Sequence, residues 1–167
     1  MSYDARAIAN FLLDYADQKE MKVTLLSVVK MIYYAHGWYL SKFNRPLVKQ
    51  SFEAWENGPV VRVVWEAFRG SGSRPISARA KRLDVLTNSQ AIVGDPVAPE
   101  EAAFLRNVFD AYAHVHALEL SNMTHSQGSP WDEVWNAPNG SVTVGMQIPD
   151  DVIRKWFSSK RVPGFFH

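Results

Sequence analysis

Between Thr24 and about Ser41 the apolar residues surround most of a helical circumference. Leu25, Val28, Val29, Ile32 and His36 share one face, Lys30 falls away from it, and Thr24 stands where an N-cap accepts backbone hydrogen bonds. A helix that is apolar nearly all round has no broad face to offer water, so other elements must cover it on several sides. This segment predicts a globular fold organised around one central, deeply buried helix. The rest of the chain has to supply the cover.

Helical spacing of Ile8, Phe11, Leu12 and Tyr15 predicts a first helix over about 3–18 with Asp4 as its cap. Pro59 suits a first helical turn, and Val60, Val63, Val64 and Phe68 continue it as a third helix towards Gly70. Pro99, Glu100 and Glu101 open a fourth, with Phe104, Leu105, Val108, Phe109 and Tyr112 as its buried stripe. His116 to about His125, a short turn carrying Trp131 and Trp135, and a last helix opened by Pro149, Asp150 and Asp151 complete the set. Phe52 to Trp55 reads as a short extended piece ending in Asn57-Gly58-Pro59 turn chemistry. Residues 70–98 read as loops around one short element, and Asn139-Gly140 followed by alternating Val142, Val144 and Met146 leaves room for a strand or hairpin. The expectation is a mainly α, compact single-domain bundle of about five to seven helices with a small β-hairpin or short strands. Residues 1–159 form the domain and 160–167 a C-terminal tail.

Lys and Arg number 18 against 17 Asp and Glu, so no global field drives the chain onto nucleic acid or anionic lipid. The absence of cysteine excludes disulfides, thiolate zinc sites and a cysteine nucleophile, and fits a reducing cytoplasm. No basic segment followed by an apolar stretch opens the sequence, and no window is long and apolar enough to cross a bilayer. The expected location is therefore cytoplasmic. Six Trp, six Tyr and nine Phe either fill the core or leave rings for a partner.

Two runs then stand out: Tyr33-Tyr34-Ala35-His36-Gly37-Trp38-Tyr39-Leu40, and Phe52-Glu53-Ala54-Trp55-Glu56-Asn57-Gly58-Pro59-Val60-Val61. With Leu120 to His125, Pro130-Trp131 and the helix around Ile153 to Phe157, they resemble in order the Panacea domain, also described as the SocA-like antitoxin or phage-associated GepA-like family. The resemblance covers roughly residues 5 to 157. It implies an antitoxin that neutralises a cognate protein toxin by direct binding, or delivers it to a ClpXP-type protease as an adaptor. It brings no catalytic residues and no cofactor.

The residues themselves leave alternatives beside that reading. Tyr33, Tyr34, His36 and Trp38 are either aromatic anchors for a partner or core, with the histidine satisfied by a hydrogen bond. Glu53 is an exposed contact, a buried acid held by a backbone donor, or a shaper of the turn into the third helix, and in an extended run Phe52 and Ala54 face opposite to Glu53 and Trp55. Gly58 and Pro59 form the turn. His125 beside Trp131 lacks a partnered nucleophile, and His114 and His116, two apart on a helix, cannot chelate one metal, so neither a catalytic residue nor a metal is expected. A hydrolytic or metal-dependent enzyme is the third reading. Arg69, Arg74, Arg79, Lys81 and Arg82 run without an intervening acid, which suits a solvated loop, a docking surface for an acidic partner, or nucleic acid, the second functional reading. The tail is either frayed, or Phe165 and Phe166 insert into a partner or a protease adaptor site, which makes them further docking candidates.

Overall fold

The computed structural model describes residues 2–137, 146–161, 163 and 164. The central helix is α2, Leu25–Phe43, in which every residue from Val28 to Leu40 is buried. Thr24 caps it by accepting from the Ser27 N–H, and Asn44 ends it in the left-handed conformation, φ 54°. Lys30, expected to fall away from the buried face, is instead fully buried: the helix is covered on all sides here, so no rotation sends a side chain to water.

The cover comes from α1 (Ala5–Gln18), α3 (Arg62–Phe68), α4 (Pro99–Tyr112), α5 (Ala117–Met123) and α7 (Asp150–Ser158). The Asp4 carboxylate caps α1 by accepting from the Arg6 N–H, as the sequence predicts. A short helix, α6 (Pro130–Trp135), with the Ser129 hydroxyl as its cap, makes seven α-helices among the described residues. They share one apolar core running from Ala5 to Phe157. No described helix is long and apolar enough to cross a membrane.

Two regions fold differently from the sequence expectation. Pro59, Val60 and Val61 belong to a strand, β2 (Gly58–Val61), antiparallel to β1 (Phe52–Trp55), and the third helix starts only at Arg62. The Trp55 to Gly58 pair closes a two-residue loop, β-branched Val60 and Val61 favour the pleat, and proline is tolerated because β2 is an edge strand. A short β5 (Gln147–Ile148) flanks β1 on its other side. Phe52 and Ala54 are buried while Glu53 and Trp55 are half-buried, the alternation expected of an extended run. The second difference lies at 81–92, where β3 (Lys81–Asp84) and β4 (Ser89–Ile92) form a hairpin of their own. The strand or hairpin expected around 139–146 lies outside the described residues except for Met146, which precedes β5 at φ 56°.

Helix α7 docks on α2 at Gly37, where a Cβ would overlap the ring of Phe157. That ring is boxed in by Tyr33, Tyr34 and Trp38, with centroids 5.6, 6.0 and 4.9 Å away, so it cannot swing aside. Gly37→Ala gains about 1 kcal/mol of helix propensity but overpacks a filled core, typically a loss of about 1–3 kcal/mol. Net destabilisation in urea unfolding is the expected result, with partial recovery on adding Phe157→Leu. A fully stable Gly37→Ala protein would refute this packing.

Candidate functional site

The turn between β1 and β2 is held by a cluster of side-chain hydrogen bonds. Four of its carbonyls are held by side chains of α2, α5 and α6 and by His125 in the α5–α6 connection. The Trp131 indole N–H donates to the Trp55 carbonyl at 2.6 Å, His125 Nε2 to Glu56 at 3.1 Å, the Ser121 hydroxyl to Asn57 at 2.6 Å and Lys30 Nζ to Pro59 at 2.8 Å. Because a carbonyl only accepts, His125 carries its proton on Nε2. The clamp is braced from behind, with Thr124 Oγ1 donating to the Ser121 carbonyl and Ser129 Oγ to that of Thr124.

Gly58 lets these parts meet. Its φ of 110° is one that side-chain-bearing residues rarely adopt, and a Cβ there would lie 2.5 Å from Thr124 Oγ1 and 3.0 Å from Lys30 Cε. Lys30 has no carboxylate partner among the described residues, and burial pulls its pKa from the usual lysine range down to about 7. The sequence offers one signal for it: a lone cation inside an otherwise apolar helical circumference.

The aromatic run of α2 lies in the core. Tyr34 stacks on Tyr112 at 4.5 Å, Tyr33 packs edge-on to Phe52 at 5.5 Å, and the Trp38 N–H donates to the Tyr112 hydroxyl at 2.9 Å. Burial pushes the Tyr33 and Tyr34 phenols well above their ordinary pKa. His36 is fully buried, its Nδ1 accepting from the Val48 N–H at 3.3 Å, which leaves Nε2 to donate to Asp150 at 2.8 Å on the first turn of α7. Glu53 takes a two-pronged grip from Arg62, at 3.0 and 2.8 Å, tying β1 to the start of α3. This is neither a free contact nor a backbone-held acid, because Arg62 stacks over Trp55 and reaches the carboxylate from there.

The cationic run is divided by its tertiary neighbours. Arg79 is paired with Asp14 and Asp17 of α1, and Arg82 with Asp95 at 2.8 Å and, more distantly, Asp4. Arg74 caps the carbonyls of Ser71 and Gly70. Lys81 has no ion-pair partner among the described residues. The pairing acids are distant in sequence, which is why a scan for intervening acids sees none. Phe165 and Phe166 lie outside the described residues, and no described group of three or more His, Asp or Glu residues converges on a metal position.

The family described as Antitoxin SocA-like, Panacea domain, matches residues 28–132. The chain belongs to that family. Among curated proteins, Antitoxin SocA of Caulobacter vibrioides (strain NA1000 / CB15N) is 36% identical over 161 residues, covering 96% of this chain and 86% of that protein. No solved structure matches. The Panacea match encloses the whole clamp from Lys30 to Trp131 and the β3–β4 hairpin. Within this Panacea domain the motif residues build architecture: Tyr33, Tyr34, His36, Trp38 and Phe52 fill the core, while Trp55, Gly58, Pro59, His125 and Trp131 fix the turn.

Proposed function

We propose that this chain is an antitoxin that neutralises a cognate protein toxin by direct, non-catalytic binding. The observation that carries this is its similarity to Antitoxin SocA along 96% of its length, which spans the core, the clamp and both flanking helices. The clamp's donors are committed to the carbonyls of one turn, so its polar groups serve to hold a rigid surface in advance of binding, which lowers the ordering cost of association. Occlusion of the toxin's active surface is the primary route; delivery to a ClpXP-type protease is the variant of the same binding function. A nucleic-acid role is weakened by the internal pairing of Arg79 and Arg82, which takes two of five neighbouring cations away from phosphate.

Co-expression with the product of the adjacent reading frame tests the proposal. The expected result is a stoichiometric complex and rescue of growth. An unchanged toxin half-life in the rescued cells identifies occlusion, and a half-life shortened only when the protease is present identifies delivery. Absence of both complex and rescue, with a toxic neighbour expressed, would overturn the antitoxin reading. A steep salt-dependent affinity for duplex DNA would then put nucleic acid in its place.

A further inference from the structure

The β3–β4 hairpin is fastened at its root and left bare beyond it. Asn10, buried on α1, donates to the carbonyls of Ala80 and Val93 at 3.0 and 2.9 Å and accepts from the Ala80 N–H at 2.8 Å. The Val93 N–H donates to the Ala80 carbonyl, closing the base of the ribbon. Arg79 and Arg82 add ion pairs to α1 and to the flanking segments. The tip is ordered too, with Asp84 accepting from the Leu86 N–H at 2.9 Å and Asn88 turning the chain at φ 52°.

Beyond that root the hairpin spends its apolar residues on solvent. Leu83 and Ile92 are 53% and 58% exposed, and Val85 and Leu86 at the tip 85% and 93%. Single exposed apolar residues are ordinary, but four on one twelve-residue ribbon form a patch of the kind that marks an interface. The register puts Lys81 opposite Ile92 and Leu83 opposite Gln90, so the unpaired lysine shares a face with both apolar side chains. Lys81 also lines a groove of about 340 Å³ at the foot of the hairpin together with Arg6, Arg62 and Glu66; Arg6 is paired with Asp4 and Arg62 with Glu53, so among the described residues Lys81 is the groove cation without an ion pair. An apolar ribbon that carries an unpaired lysine on the same face complements a partner with an apolar depression edged by carboxylate.

We infer that the β3–β4 hairpin is the arm that engages the toxin, inserting Val85 and Leu86 into an apolar depression while Lys81 meets an acidic rim. The inference rests on the antitoxin reading and adds the surface and the chemistry of its partner. The arm is pre-organised by Asn10, so little ordering is needed on docking, and its residues contribute nothing to the chain's own core.

The test measures the affinity of the full chain for the product of the adjacent reading frame, with Val85→Ser/Leu86→Ser, Lys81→Glu and, as a control on α5, Leu118→Ser, which is also exposed. The tip pair is expected to weaken binding by about tenfold or more, as loss of a hot spot does, with an unchanged thermal midpoint and unchanged amide protection at Ala80 and Val93. Lys81→Glu should slow association and flatten its salt dependence. Leu118→Ser should bind as the parent does. A parental complex left intact by both hairpin variants would overturn the arm while leaving the antitoxin reading standing. No parental complex at all would overturn both. A parent that dimerises through the hairpin, with the tip variant monomeric and still bound to the toxin, would assign the arm to a second copy and overturn the inference.

Discussion

Trp131→Ala is expected to lower stability by about 3–5 kcal/mol, the range for deleting a large buried aromatic side chain. The ring is only 6% exposed, its N–H holds the Trp55 carbonyl at 2.6 Å, and His125 and Trp135 pack on it with centroids 4.1 and 5.7 Å away. Trp131→Phe retains most of the volume and strips the hydrogen bond, so it should cost only the orphaned carbonyl, about 1–3 kcal/mol. The two variants together divide packing from polar support. Ser121→Ala should cost less in the Trp131→Ala background than alone, because both groups hold the same turn and members of one network are not additive. Urea unfolding of the parent and the four variants gives the numbers. A loss below about 1 kcal/mol for Trp131→Ala would mean that the turn is held without α6.

The central helix was legible, Lys30 apart, because an apolar circumference admits one environment, and Thr24 and Asp4 announce their caps in the side chains that make them. Pro59 misled because proline serves equally at the first turn of a helix and on an edge strand, and only the pairing of β2 with β1 decides between them. The β3–β4 hairpin was hidden because Lys-Arg-Leu-Asp and Ser-Gln-Ala-Ile carry no apolar alternation and pack on no core, so there is no amphipathic signal of a strand. His125 and Trp131 could be singled out as motif residues, but the partners that give them a role are carbonyls, and backbone acceptors carry no residue signature. Arg79 and Arg82 looked free for a similar reason: Asp14, Asp17 and Asp95 come beside them only through the tertiary fold. Residue type therefore revealed which positions matter to the architecture, while the contacts that explain them are long-range.

Lys30 should make the protein more stable as the pH rises from about 7 to about 10. Burial lowers its pKa to about 7 in the folded chain, against roughly 10.4 when unfolded. Between those values the unfolded chain holds a proton that the folded chain has released, so raising the pH favours folding, by at most about 1.4 kcal/mol per pH unit for one proton. Below pH 7 both states are protonated and this contribution is flat. Above about pH 10 the sign reverses, because Tyr33 and Tyr34 stay neutral in the core while their unfolded counterparts ionise. Lys30→Met should abolish the rise and keep the fall. At pH 7 the variant should match or slightly exceed the parent, since relief from a buried ammonium offsets the unpaired Pro59 carbonyl, and near pH 10 it should be the weaker of the two. Lys30→Arg cannot shed its proton in this range and should be strongly destabilised throughout. Urea midpoints across pH 7 to 10 decide the matter: parallel profiles for parent and Lys30→Met would show that the amine is solvated and the clamp open to water.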